Sequence, residues 1–259
     1  MKKIILLWAL GLCISCSSDS PEEEEVVEDF NVELVPSTTE IVIDVPFTIK
    51  IQSGEPINEI SINDSSWIGA SIGEALQGDE LTLHFQFGYV RNEEVILGIT
   101  TVSGKKITKT LNFNVQRGNA VKITRFKINS FYNIDDTWDD EYANNDPNRL
   151  ADVIFGFVKP TVGNFSTSSN GSIRWYISPV YPNQQQLDYD LSQENLYIAY
   201  NSHFTFGMAD DDGNGVGQDL TRSSTDVDIN IKDYSEIKPN EINIKNEEYG
   251  FDVTFTLEW

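Results

Sequence analysis

The strongest constraint on this chain is a period of two. Beyond residue 30, apolar side chains recur at alternate positions in Phe47-Thr48-Ile49-Lys50-Ile51-Gln52 and in Leu81-Thr82-Leu83-His84-Phe85-Gln86-Phe87. Ile107 to Val115 alternates too, with Leu111, Phe113 and Val115 on one face and Thr110, Asn112 and Asn114 on the other. At the C-terminus Phe251, Val253, Phe255, Leu257 and Trp259 point one way, and Asp252, Thr254, Thr256 and Glu258 the other. Side chains alternate across a pleated strand, so each segment buries one face and wets the other. Helix-period stretches are scarce. The fold class is therefore all-β, built from antiparallel strands packed as sandwiches.

Residues 30–259 are long enough for one large or two ordinary domains. Val102-Ser103-Gly104-Lys105 reads as a hairpin turn, and Arg117-Gly118-Asn119 as a boundary. Residues 30–117 carry about seven strands by this count, and by pattern and length they resemble an immunoglobulin or PKD-like module. Residues 118–259 are predicted to hold eight strands, at 121–128, 151–158, 172–177, 196–200, 203–208, 226–231, 241–244 and 250–258. The first changes phase between Ile123 and Phe126, which predicts a bulge at Thr124-Arg125.

Lys2 and Lys3 precede a nine-residue apolar run, Ile4 to Leu12, too short to cross a bilayer, which takes about 20 residues. Ser15-Cys16 follows. This resembles the lipobox of bacterial lipoproteins, although the usual Leu three places before the cysteine is Cys13 here. The resemblance implies a signal peptide over residues 1–15 and a lipid on Cys16. Cys13 and Cys16 are the two cysteines of the chain, so the folded part has no thiol, disulfide or zinc-thiolate site. Residues 16–29 then form an acidic, aromatic-free tether. An acidic run after the lipidated cysteine is similar to the surface-export signal of Bacteroidetes lipoproteins, which implies an outer-membrane anchor with the protein facing outward.

The formal net charge of −23 argues against nucleic acid as a partner, since that binding needs a basic surface. It also argues against general electrostatic adsorption to anionic lipid. The acids are unevenly placed. If successive strands of the second domain run antiparallel, loops 129–150, 178–195 and 209–225 share one end, and loops 159–171, 201–202 and 232–240 the other. The first set holds thirteen Asp and Glu and the second set two, Asp233 and Glu236. Two carboxylates about 4 Å apart repel by roughly 4 kcal/mol at an effective dielectric of about 20. A bridging cation relieves that repulsion. All-oxygen ligands favour Ca²⁺, and the scarcity of His and Cys disfavours transition metals.

An eight-stranded sandwich with acidic loops at one end resembles a C2-like domain. That family binds calcium through aspartates of two loops. The resemblance implies Asp146 and Asp152, spaced by six with the second opening a strand, as one pair. It implies Asp210, Asp212 and Asp219 in the other loop. Val153 stands where the family has Pro, and Asp219 is one place late. Asp210-Asp211-Asp212-Gly213-Asn214-Gly215 also resembles the start of an EF-hand loop, but position 12 is Thr221 rather than Glu. Both readings nominate Asp210 and Asp212; a third, a solvated glycine-rich acidic turn, needs no metal.

No Gly-x-Ser-x-Gly, His-Glu-x-x-His or phosphate-loop motif occurs, and the two histidines, His84 and His203, have no nucleophile motif nearby. The reading is non-enzymatic. Trp138 lies in the first acidic loop, with Tyr132 and Tyr142 near it, and Tyr181 and Tyr189 lie in the second. An aromatic beside calcium-held loops suits stacking on a sugar or gripping a protein, and Trp138 is the ligand-binding candidate; plugging the sandwich end is the competing role. The function that follows is a cell-surface lipoprotein binding module, its calcium-ordered loops contacting a glycan, lipid headgroup or protein. The alternative is a metal-independent structural subunit of an outer-membrane or secretion assembly.

Overall fold

A computed structural model describes residues 30–259 other than 65–66, 74–77, 163–169, 185, 214–216 and 222–226. The signal peptide, Cys16 and the acidic tether lie outside the described residues. Asn31 to Trp259 form one compact unit.

The chain is all-β. Its helical content among the described residues is three short 3-10 turns. In the first half, Val32–Pro36, Phe47–Ser53 and Glu80–Phe85 make a three-stranded sheet. Ile41–Val42, Lys106–Gln116, Asn92–Thr101, Ile57–Asp64 and Trp67–Gly73 make a five-stranded one, in that spatial order. Every pairing is antiparallel except the two-residue contact of Ile41–Val42 with Lys106–Gln116. The predicted hairpin turn forms between the two longest strands, with Gly104 at φ +88°, a backbone conformation glycine adopts without a Cβ penalty. Among the described residues these eight strands, against about seven read from the sequence, pair only with one another, giving an immunoglobulin-like sandwich; the shortest, Ile41–Val42, has two residues.

In the second half, one sheet runs Asn170–Ile177, Val153–Val162, His203–Asp210, Gln218–Asp219, with Val227–Asn230 also on His203–Asp210. The facing sheet runs Asp188–Asp190, Val121–Ser130, Phe251–Glu258, Glu241–Asn246, with Tyr197–Ile198 also on Val121–Ser130. Two of these strands, Asp188–Asp190 and Gln218–Asp219, fall in segments read from sequence as loops. Alternation explains the layers: Val153, Phe155 and Phe157 point inward, as do Phe204, Phe206 and Met208, and Phe251, Val253, Phe255 and Leu257. The predicted bulge is present. Thr256 pairs with Arg125 and Leu257 with Ile123, which leaves Thr124 without an opposite residue.

The two sandwiches meet at a polar seam. Lys159 Nζ lies 2.9 Å from Asp44 Oδ1, with side-chain exposures of 1% and 3%. Asn195 holds the Val90 backbone from both sides, Nδ2 donating to its carbonyl at 2.7 Å and Oδ1 accepting from its N–H at 3.2 Å. The Tyr89 hydroxyl donates to the Trp175 carbonyl at 3.1 Å.

Candidate functional site

Antiparallel order brings three loops of the second sandwich to one end. Strand Val121–Ser130 ends there, Val153–Val162 starts there, and Asn170–Ile177 and His203–Asp210 end there. Between them opens a cleft of about 660 Å³. Trp138, Asp139, Asp140, Glu141 and Tyr142 line it from the first loop, Val180 and Asn183 from the second, and Asp211, Asp212 and Gly213 from the third. Asp152 lines it from the foot of its strand.

Asp210 lies beneath this cleft. As the last residue of an alternating strand it falls on the inward phase, and its side chain is fully buried. Oδ1 accepts the Asp152 N–H at 2.6 Å, while Oδ2 has no partner. The strand-to-loop junction is tied further by the Asp211 N–H, which donates to the Asp152 carbonyl at 2.9 Å. Burial pushes the Asp210 carboxyl up to about 6, the Asp152 N–H opposes the rise, and the charges of Asp212, Asp139 and Asp152 add to it. Asp139 is also raised, by burial first and then by Asp152, Glu141 and Asp212. The charges of Asp152 and Asp212 therefore reach both Asp139 and Asp210. Gly217 permits the return of the third loop, because a Cβ there would meet the Asp210 carbonyl oxygen at 2.4 Å.

Raising Asp210 links stability to pH. The unfolded carboxyl titrates at 3.8 and the folded one near 6, so stability falls as pH rises through that window and stays lower above it. Without divalent cations, Asp210→Asn is expected to remove this slope and to raise stability at pH 8 by about 1–2 kcal/mol, allowing for the nearby solvent. Urea unfolding at pH 4 and pH 8 checks this; an unchanged slope in the variant would assign the dependence elsewhere.

The five aspartates named from the sequence are divided by the structure. Asp152, Asp210 and Asp212 share this end, with Trp138. Asp146 does not line the cleft: it caps the 3-10 turn Pro147–Arg149, its carboxylate accepting the Asn148 N–H at 2.9 Å. Asp219 does not line it either. Its Oδ1 accepts the Thr221 N–H and hydroxyl at 2.8 and 2.6 Å, and it borders the outer face of the sheet. Two acids counted among the crowded loops, Asp188 and Asp190, lie in a strand instead. The Arg125 guanidinium donates to Asp188 at 2.5 and 2.6 Å and holds its carboxyl below the usual range. Asp139 was one acid among thirteen in the sequence; only the path of its loop separates it from Asp135 and Asp136.

Trp138 is half-buried. Its indole N–H donates to the Asn133 carbonyl at 3.0 Å, and its ring packs edge-on against Phe131. It closes the sandwich end and borders the cleft at once. Of the EF-hand-like run, Asp211 makes a local turn, its carboxylate accepting the Gly213 N–H at 2.9 Å; Asn214 and Gly215 lie outside the described residues. Among the described residues no three His, Cys, Asp or Glu side chains converge closely enough to hold a metal ion as they stand.

No family model and no curated protein matches the chain. Among solved structures it is similar to CopC from Methylosinus trichosporium OB3b, at 23% identity and a TM-score of 0.26, over 33% of this chain and 94% of that one.

Proposed function

We propose that the protein is a non-catalytic lipoprotein, anchored through Cys16 in the outer membrane and facing outward, whose acidic cleft binds calcium and through it a glycan, lipid headgroup or protein. The observation that carries this reading is the Asp210 carboxylate, fully buried with Oδ2 unpartnered, next to Asp139, Asp152 and Asp212. A buried carboxylate with one oxygen lacking a donor is costly, and a hard cation is the partner that its charge and oxygen atoms suit. The carboxylates are spread around the cleft, so the ion would draw the loops of Asp139 and Asp212 inward onto Asp152 and Asp210. Trp138 and Tyr142 then supply the aromatic faces at the rim.

Thermal unfolding tests the calcium claim. With a dissociation constant of about 10⁻⁴–10⁻³ M, typical of extracellular modules, about 10 mM Ca²⁺ stabilises by roughly 1.4–2.7 kcal/mol. For a unit of this size that raises Tm by about 3–10 °C over an EDTA control. Asp212→Ala, at an exposed position, is expected to leave the EDTA melt no lower, since it removes a like charge, and to remove most of the calcium shift. An equal Tm in calcium and EDTA would refute calcium binding.

A further inference from the structure

The outer face of the second sandwich carries a trough that the acidic cleft does not touch. Three rows of side chains cross the sheet there. Ile177, Gly156 and Gly207 are register partners in the middle row. Arg174, Val158 and Thr205 stand on one side, and Ile154, Ala209 and Asp219 on the other. The glycines lower the middle row and leave a depression of about 340 Å³ between apolar walls, with Arg174 and Asp219 at its rim.

Packing within the chain does not require glycine at 207. A Cβ there would meet nothing within 4 Å, whereas one at Gly156 would come 3.0 Å from the Tyr176 carbonyl oxygen. Glycine inside a strand weakens it through backbone entropy and marks places where another body approaches closely. Beside it, Ile177 is 53% exposed.

Elsewhere on the same unit is a shape that answers this one. Ile237 is 82% exposed, the most exposed of the large apolar side chains among the described residues. Its turn is well fastened. The Lys238 N–H donates to the Tyr234 carbonyl at 2.8 Å, the Ser235 hydroxyl to the Lys232 carbonyl at 2.7 Å, and the Trp259 indole to the Pro239 carbonyl at 2.8 Å. Lys238 is held at φ +50°, an uncommon conformation for a residue with a Cβ. The result is a rigid apolar knob flanked by Glu236 and Lys238. The trough is apolar and flanked by Arg174 and Asp219, so each flanking charge of the knob has an opposite charge to meet.

We propose that the occupant of the trough is a second copy of this chain, whose Glu236-Ile237-Lys238 turn docks against Gly156, Gly207 and Ile177. Knob and trough are different patches, so a single knob-in-trough contact is head-to-tail and leaves a free knob at one end of a pair and a free trough at the other. It propagates into short chains rather than closing as a symmetric dimer. The contact is small, which places it in the weak class that a high local concentration on a membrane would populate. The net charge of −23 opposes it at long range, and salt at about 0.15 M screens that repulsion beyond roughly 8 Å.

Sedimentation velocity on the full chain at this salt tests the proposal. The wild type is expected to form species beyond the dimer as loading rises from about 1 µM to about 1 mM. Gly207→Leu fills the trough and Ile237→Asp removes the knob; a Cβ at 207 has open space and Ile237 is exposed, so each variant alone is expected to sediment as a monomer with a Tm no lower than that of the wild type. An equimolar mixture of the two keeps one intact knob and one intact trough, and is expected to stop at a one-to-one dimer. A monomeric wild type, association that survives either substitution, or a mixture that does not pair would each overturn the proposal.

Discussion

Lys159→Met is expected to destabilise the protein by about 3–5 kcal/mol and to separate the melting of its two halves. The ammonium is 1% exposed and 2.9 Å from Asp44 Oδ1. It also donates to the Tyr197 carbonyl at 2.9 Å and lies 4.6 Å from the centre of the Trp175 ring. Asp44 has its own second contact, Oδ2 accepting the Ala199 N–H at 2.9 Å. Burial lowers the Lys159 pKa and raises that of Asp44, and each charge opposes the other's shift. Methionine keeps the volume of the stem but leaves Asp44 charged in a dry seam. The cost comes from that unpaired charge, so combining Lys159→Met with Asp44→Leu is expected to recover much of it. Urea unfolding of the single and double variants checks this. A single variant that loses less than about 1 kcal/mol, or a double variant worse than the single, would mean that solvent already screens the pair.

Phe126→Ala is expected to cost about 3–5 kcal/mol. Phe126 is fully buried at the centre of the second sandwich. Its ring centroid lies 4.6 Å from Phe155, 4.8 Å from Phe255, 5.7 Å from Phe157 and 6.0 Å from Phe206. Those neighbours come from both sheets, so removing the ring opens a cavity that neither sheet can fill alone. Phe126→Leu retains most of the volume and is expected to cost less than half as much. The midpoint of urea unfolding reads both. An alanine variant within about 1 kcal/mol of wild type would show that the core repacks around the gap.

The difference between these residues is instructive. Phe126 was legible from the sequence as the first inward residue after a phase change, and the bulge at Thr124 accounts for that change. Lys159 was legible only as an anomaly. It continues the inward phase of Val153, Phe155 and Phe157, where a charge has no place unless something buried neutralises it. Its partner is more than a hundred residues away, and no local pattern marks Asp44. The acidic end divides in the same way. Antiparallel alternation was enough to bring loops 129–150 and 209–225 together, because loops after alternate strands share an end. It did not tell loop from short strand, so Asp188 was counted with a crowd when Arg125 already neutralises it.

The period of two by itself determined an all-β chain of antiparallel sheets packed face to face, because alternating side chains bury one face of every strand regardless of the rest. The choice among the aspartates belonged to the tertiary structure alone. Asp146, Asp210 and Asp219 are the same residue type in comparable acidic loops. One caps a 3-10 turn, one is buried without a partner for Oδ2, and one closes a turn beside Thr221 at the outer sheet. A carboxylate's state depends on burial and on the donors that reach it, and those are set by distant strands. The glycine trough and the Ile237 knob follow the same rule: the sequence shows a glycine and an isoleucine, and only the folded surface leaves one open and the other unburied.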